Sequence, residues 1–135
     1  MEAQADDVYY EAPGVASVRW DEDGQFVLVQ WDGWAHSAEF AALLDAEIQA
    51  LRDHHGSRLL ADCRRQKVLN PADQERANEQ WLPRAMAAGL KRFAAVLPSS
   101  GLASVNLQDS LGKAPDGALD VAYFRTVDEA RDWLG

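Results

Sequence analysis

The sequence feature that most constrains the fold is a strand–helix–strand pattern between residues 57 and 97. Two short apolar runs occupy residues 57–63 and 92–97. Between them, Asn70 and Pro71 form a helix-start signal, an N-cap residue followed by proline at the first helical position. Two strands joined through a helix pair in parallel, and their crossover is right-handed. The pattern therefore predicts an α/β fold.

The rest of the chain adds elements on both sides of this unit. Two alternating apolar runs flank an acidic turn at 21–24 and predict an antiparallel hairpin. The predicted strands are residues 15–20, 25–31, 57–63, 92–97 and 119–124. The predicted helices begin at Ser37 (ending at Gly56), Asn70, Leu102 and Thr126. The order is ββαβαβαβα: one domain over 15–135, with a mixed five-stranded sheet and an antiparallel N-terminal edge strand, after an irregular acidic arm over 1–14.

The net charge of −9 is concentrated near the N-terminus. Residues 1–24 hold seven acidic residues and one basic residue, a net of −6, which leaves −3 for the other 111 residues. An acidic surface repels the phosphate backbone, so nucleic acid is not an expected partner. The acidity near the N-terminus favours solubility.

The single cysteine, Cys63, excludes an internal disulfide and is typical of a protein from a reducing compartment. No apolar run approaches the ~20 residues of a membrane span, and the acidic N-terminus does not resemble a signal peptide. A cytoplasmic location is expected. No cofactor motif, metal-ligand set or glycine-rich phosphate loop is visible, so neither a cofactor nor catalysis is expected.

Five tryptophans is a high number for 135 residues. Three follow strand or helix patterns and are predicted core residues: Trp20, Trp31 and Trp133. Trp34 follows a glycine, and Trp81 lies where Pro83 should kink or break its helix. These two either line a groove or pack into the core, as buried aromatic side chains usually do.

With its elements in this order, the chain resembles the SpoIIAA-like group of small bacterial proteins, which is related to STAS and SEC14 domains. The resemblance rests on residues 25–34, 59–62 with Arg64, 81–83, 89–92 and 124–134. It implies a stacked βα superhelix and a relationship to anti-sigma-factor antagonists and to lipid-carrying CRAL-TRIO domains.

One departure from that family pattern bears on function. The antagonists place a phosphorylatable Asp-Ser pair after the third strand, at the start of the next helix. Here residues 62–70 contain no serine, threonine or tyrosine. The phosphorylation switch is therefore not implied for this chain, and Ser104 and its neighbours belong to a different loop.

Ligands of parallel α/β sheets bind beyond the carboxyl ends of the strands. The candidate ligand-binding residues are Asp62, Arg64, Arg65, Asn70, Trp81, Ser99 and Ser100. The two arginines beside the helix start could hold an anion through guanidinium groups and free backbone N–H groups. The alternative is that Asp62 pairs with an arginine and the helix start is only capped.

Two further features have alternative interpretations. Cys63 is either a nucleophile activated by neighbouring cations or an inert packed thiol. His54 and His55 could suggest a metal site, but adjacent helical residues point about 100° apart. The alternative is that they complement the helix dipole in the last turn of their helix.

The sequence leaves three candidate classes of function, of which the third has the least support. The first is a non-catalytic regulatory or binding module of the STAS-like kind, with a protein partner. The second is a carrier of a small apolar or lipid ligand, and the third is a thiol enzyme centred on Cys63. A homodimer is also expected, because an open sheet edge invites pairing and the ring of Trp20 is expected to be exposed there.

Overall fold

A computed structural model of the chain shows a six-stranded mixed sheet with helices on both faces. The residues it describes are 7–33, 37–65, 72, 75–98 and 119–135. The strands are β1 (Val8–Ala12), β2 (Ala16–Asp21), β3 (Phe26–Trp31), β4 (Arg58–Asp62), β5 (Arg92–Val96) and β6 (Asp120–Phe124). The helices are α1 (Ser37–His54), α2 (Leu82–Ala87) and α3 (Val127–Leu134), and a π-helix (Arg76–Trp81) runs directly into α2.

The strands lie in the sheet in their chain order. The pairs β1–β2 and β2–β3 are antiparallel, whereas β3, β4, β5 and β6 are mutually parallel. The predicted α/β class, the N-terminal hairpin and the parallel pairing of the 57–63 and 92–97 runs are confirmed. Over the described residues the sheet has six strands, where five were predicted.

The additional strand lies in the segment predicted as an irregular arm. Residues 8–12 form β1 at the sheet edge, beyond β2, and the register shifts between Val8 and Tyr10. Tyr9 and Tyr10 both pack against the core beneath α1. A bulge of this kind breaks the alternation that a sequence pattern needs, so β1 was missed. Residues 1–6 lie outside the described part of the chain.

The two faces of the sheet carry separate cores. The larger core lies beneath α1 and includes the strand residues Ala16, Val18, Trp20, Val27, Val29, Trp31, Leu59, Ala61, Phe93 and Ala95. The smaller core lies beneath α3 and consists of Phe26, Leu60, Ala94, Val96, Ala130 and Leu134. Within the described residues, none of the helices has the length and apolar character of a membrane span.

Trp20 is buried, which corrects the expectation that its ring lies exposed at the sheet edge. The indole stacks on the imidazole of His54, with ring centroids 4.3 Å apart, and its Nε1 donates to Glu22. His54 in turn lies 3.1 Å from a carboxylate oxygen of Asp7. An interface built on Trp20 is therefore not available, and β1 rather than β2 forms the edge.

The end of α1 differs in detail from its prediction. Gly56 was expected to stop the helix, but His55 takes the left-handed conformation, with φ of 50°. The N–H of Gly56 then donates to the carbonyl of Leu51, the bond that closes a Schellman motif. Gly56 is needed for a different reason, because a Cβ there would lie 2.9 Å from the ring of Trp20.

The helix irregularity predicted near Trp81 is confirmed as a change of helix type, without a break between the two helices. The π-helix ends at Trp81, and α2 begins at Leu82 with Pro83 in its first turn. The predicted cap of α3 is also confirmed, since the N–H of Glu129 donates to the hydroxyl of Thr126. The predicted helix at 102–107, the Asn70 helix start and Trp34 lie outside the described residues.

Arg58, the first residue of β4, joins three distant parts of the chain. Its Nη1 donates to the carbonyl of Leu134 at 2.6 Å, at the end of α3. Its Nη2 donates to the carbonyls of Gly24 and Gln25, each at 3.0 Å, in the β2–β3 turn. One guanidinium group thus ties the hairpin turn and the C-terminal helix to the central strand.

Arg58→Ala should destabilise the fold by about 2 kcal/mol, because it removes three hydrogen bonds from a charged donor. Urea unfolding followed by tryptophan fluorescence measures the loss. Arg52→Ala, at an exposed position in α1, is the control and should change stability by less than about 0.5 kcal/mol. Equal losses in the two variants would contradict a special role for Arg58.

Candidate functional site

The carboxyl ends of β3 and β4 form one edge of the sheet, and an open pocket of about 210 Å³ lies there. Gln30 and Asp62 lie side by side in the parallel register of these strands. The pocket is lined by Gln30, Trp31, Asp32, Asp62, Arg64 and Arg65. Three of the predicted site residues, Asp62, Arg64 and Arg65, are therefore brought together.

Asp62 and Arg64 form a two-point ion pair at this edge. The Nε of Arg64 lies 2.9 Å from Oδ1 of Asp62, and its Nη2 lies 2.8 Å from Oδ2. The backbone N–H of Arg64 also donates to Oδ1 at 3.3 Å. The hydrogen bond and the charge of Asp62 raise the pKa of Arg64. Asp62 is only 6% exposed, so this pair supplies a buried carboxylate with the partner that it needs.

This arrangement matches the alternative in which Asp62 pairs with an arginine. The guanidinium group of Arg64 is paired with the carboxylate of Asp62, whereas Arg65 is exposed and lines the same pocket. Two acidic and two basic side chains among the described lining residues leave no formal net charge. The pocket therefore does not favour an anion over other polar groups. Asn70, Ser99 and Ser100 lie outside the described residues.

Gln30, Trp31 and Asp32 line the pocket, and sequence reasoning did not place them there. The sequence contained a signal for these residues. The predicted strand at 25–31 ends here, and the ends of parallel strands lie at a common edge of the sheet. Finding them required the register between β3 and β4, which the sequence pattern does not determine.

Trp81 lies apart from this edge, between α1 and α2. Its ring is 4% exposed and packs edge-on against Phe93, with centroids 6.1 Å apart. It also lines a second pocket, of about 180 Å³, so it is both a core residue and a groove residue. Among the described residues, its Nε1 is a buried polar atom without a hydrogen-bond partner.

Cys63 is buried, and its environment opposes nucleophilic chemistry. Burial, and then the nearby carboxyl groups of Asp62 and Glu47, raise the pKa of Cys63 well above its ordinary value. The thiol therefore stays protonated at neutral pH, whereas a nucleophile needs the thiolate. This favours the packed thiol over the nucleophile.

Glu47 is a second buried titratable group that the sequence pattern did not reveal. It lies on α1, 4% exposed, and burial raises the pKa of its carboxyl group well above the ordinary value. The described residues contain no cluster of histidine, cysteine and acidic side chains that could hold a metal ion. His54 instead stacks on Trp20.

A solved structure with the same fold confirms the SpoIIAA-like fold that the sequence predicted. The crystal structure of an uncharacterised DUF3478-family protein from Shewanella loihica PV-4, described as having a SpoIIAA-like fold, aligns with a TM-score of 0.62. The alignment covers 100% of this chain and 99% of the other, with 14% of the residues identical. No protein-family model and no curated protein matches the sequence. At this identity the likeness is one of fold.

Arg64→Ala should destabilise the protein by about 1–3 kcal/mol, because it leaves the buried carboxylate of Asp62 without its partner. Arg65→Ala, one residue away and exposed, should have little effect. A double-mutant cycle with Asp62→Ala, measured by urea unfolding, isolates the pair and should give a coupling of at least about 0.5 kcal/mol. Additive losses would show that the pair contributes nothing to stability.

Glu47→Gln should stabilise the protein more at pH 7 than at pH 4. Above the ordinary glutamate pKa of about 4.3, the unfolded chain releases its proton while the folded chain retains it, so stability falls as the pH rises. Glutamine has no proton to release, which removes this loss. Urea unfolding of both proteins at the two pH values measures it, with the exposed Glu79→Gln as control. The same gain at both pH values would refute the buried, protonated carboxyl group.

Proposed function

We propose that this chain, with its SpoIIAA-like fold, is a non-catalytic binding module of the STAS-like kind whose contact surface does not depend on phosphorylation. The observation that carries the proposal is the ion pair between Asp62 and Arg64 in a segment without hydroxyl groups. It lies at the carboxyl edge of the parallel strands, where ligands and partners of such sheets bind.

The ion pair supports a surface that is permanently formed. In the anti-sigma-factor antagonists that the sequence resembles, a phosphorylatable serine lies after this strand and switches the surface. Here residues 62–70 have no such group, and the guanidinium of Arg64 is fixed by two bonds to Asp62. A partner would meet the same paired charges at all times, together with the exposed side chain of Arg65.

The chemistry of this edge indicates the kind of partner. Its charges balance within the described residues, and the net charge of the chain is −9. These features favour a protein, or a second copy of this chain, over a nucleic acid. Regulation then depends on the amount of each partner rather than on a modification.

The second candidate function is a carrier of a small apolar or lipid ligand. The observation in its favour is the pocket beside Trp81, where a buried indole N–H has no partner among the described residues. Its volume of about 180 Å³ is below the ~300–1,000 Å³ that encloses drug-sized ligands. A lipid would need more space than the described pockets provide, which favours the binding module.

Native mass spectrometry of freshly purified protein separates the two functions. The binding module should give the bare mass of the 14.9 kDa chain, or an integer multiple of it. A stoichiometric lipid adduct that is released on denaturation would overturn the proposal in favour of the carrier.

The contact surface is tested by affinity capture from lysate of the source cells, with Arg65→Glu and Arg52→Glu compared. Both substitutions reverse the charge of an exposed arginine, but only Arg65 lines the edge pocket. We expect a protein retained by the wild type to be lost with Arg65→Glu and kept with Arg52→Glu. Incubation of the protein with a bacterial serine kinase and ATP should leave the capture unchanged. Phosphopeptide mapping of the treated protein shows whether any serine has been modified. Stoichiometric phosphate on Ser99, Ser100 or Ser104 that abolished capture would refute the permanent surface.

A further inference from the structure

The pocket at the carboxyl edge of the sheet carries one acidic and one basic side chain that have no charged partner among the described residues. Asp32 directly follows β3, and Arg65 lies three residues beyond β4. Both side chains are exposed, and both line the pocket. The other two charged residues there, Asp62 and Arg64, already bind each other. Within the described part of the chain, neither Asp32 nor Arg65 forms an ion pair.

Two free groups of opposite charge on one surface are complementary to a second copy of that surface. A two-fold axis that passes between them places Arg65 of one protomer against Asp32 of its partner, and the reverse pair forms at the same time. A partner of another kind would have to supply both charges at the matching spacing. A second copy carries them at that spacing because it is the same molecule.

The net charge of −9 does not prevent this contact, because the acidic turn at 21–24 lies at the other end of β3. The six residues of β3 separate that turn from the carboxyl edge by ~17–20 Å. Glu11, an exposed residue of β1, is aligned with Ser17 of β2 and then with Gln30 of β3, which places it ~10 Å from Gln30. Both distances exceed the Debye length of ~8 Å at physiological salt, so these charges are largely screened.

We propose that the carboxyl edge binds a second copy of this chain about a two-fold axis, through two equivalent ion pairs between Asp32 and Arg65. This inference rests on the proposed function, because it uses the same contact surface and names the partner. Asp62 also accepts from the backbone N–H of Arg64, which fixes the turn that carries Arg65 before any partner arrives. The paired charges orient the two protomers. A stable interface buries ~1,200–2,000 Å² in total, so the contact extends beyond the pocket over the neighbouring strand ends.

Analytical ultracentrifugation over the micromolar range at physiological salt tests the dimer. We expect the wild type to sediment at twice the mass of the 14.9 kDa chain. Arg65→Glu and Asp32→Lys should each raise the dimer dissociation constant about 100-fold, because either change occurs twice in a symmetric dimer and turns two attractions into repulsions. Arg52→Glu, at an exposed position outside the pocket, should leave the constant unchanged.

An equimolar mixture of the two charge-reversed variants tests the pairing itself. In a mixed dimer the introduced glutamate meets the introduced lysine, and the native Asp32 of one protomer meets the native Arg65 of its partner. We therefore expect the mixture to regain the dimer that each variant alone has lost. The variant with both substitutions should dimerise as well, because its charges are exchanged rather than removed. Both positions are exposed, so the variants should fold with the stability of the wild type.

Three results would overturn the second copy as partner. These are a wild type that stays monomeric throughout the micromolar range, a dimer that either single reversal leaves unchanged, and a mixture that does not regain the dimer. Capture from lysate distinguishes this proposal from the binding module itself. If the wild type is monomeric and Arg65→Glu abolishes capture of a different protein, the second copy is wrong and the binding module stands.

Discussion

The burial of β4 on both of its faces is the constraint on which the rest of this structure depends. Leu59 lies in the core beneath α1 and Leu60 in the core beneath α3, and both are fully buried. A strand in this position has no side that faces water, so its last residue, Asp62, is buried as well. A buried carboxylate needs a charged partner, and Arg64 supplies it from two residues further on. The same reasoning applies at the other end of β4, where Arg58 satisfies three carbonyl groups.

The likeness to the Shewanella loihica protein shows how little residue identity this fold requires. Only 14% of the residues agree, yet the alignment extends over the whole chain. A pattern of buried positions along strands and helices is enough to specify such a sheet, and many different apolar residues can fill it. Function depends on the particular side chains at a site, which the shared fold does not preserve.

The elements that the sequence predicted well are those with local signals. The alternating residues of β2 and β3, the capping box at Thr126 and the change of helix type beside Pro83 each depend on a few neighbouring residues. β1 had no such signal. Its bulge places Tyr9 and Tyr10 against the same core, and only pairing with β2 makes that arrangement a strand.

For the candidate site, the sequence by itself determined that Asp62, Arg64 and Arg65 lie at one edge of the sheet, because the order of elements requires parallel strands that end together. Only the tertiary structure decided that Asp62 binds Arg64, since that bond follows from the burial of β4 between two cores. It also decided that Glu47 is buried, because the sequence pattern of α1 does not distinguish this position from an ordinary polar one. Only the packing of the helix on the sheet covers it. Caps, turns and strand alternation depend on neighbouring residues and are visible in the sequence. Register and burial arise only when distant segments pack together.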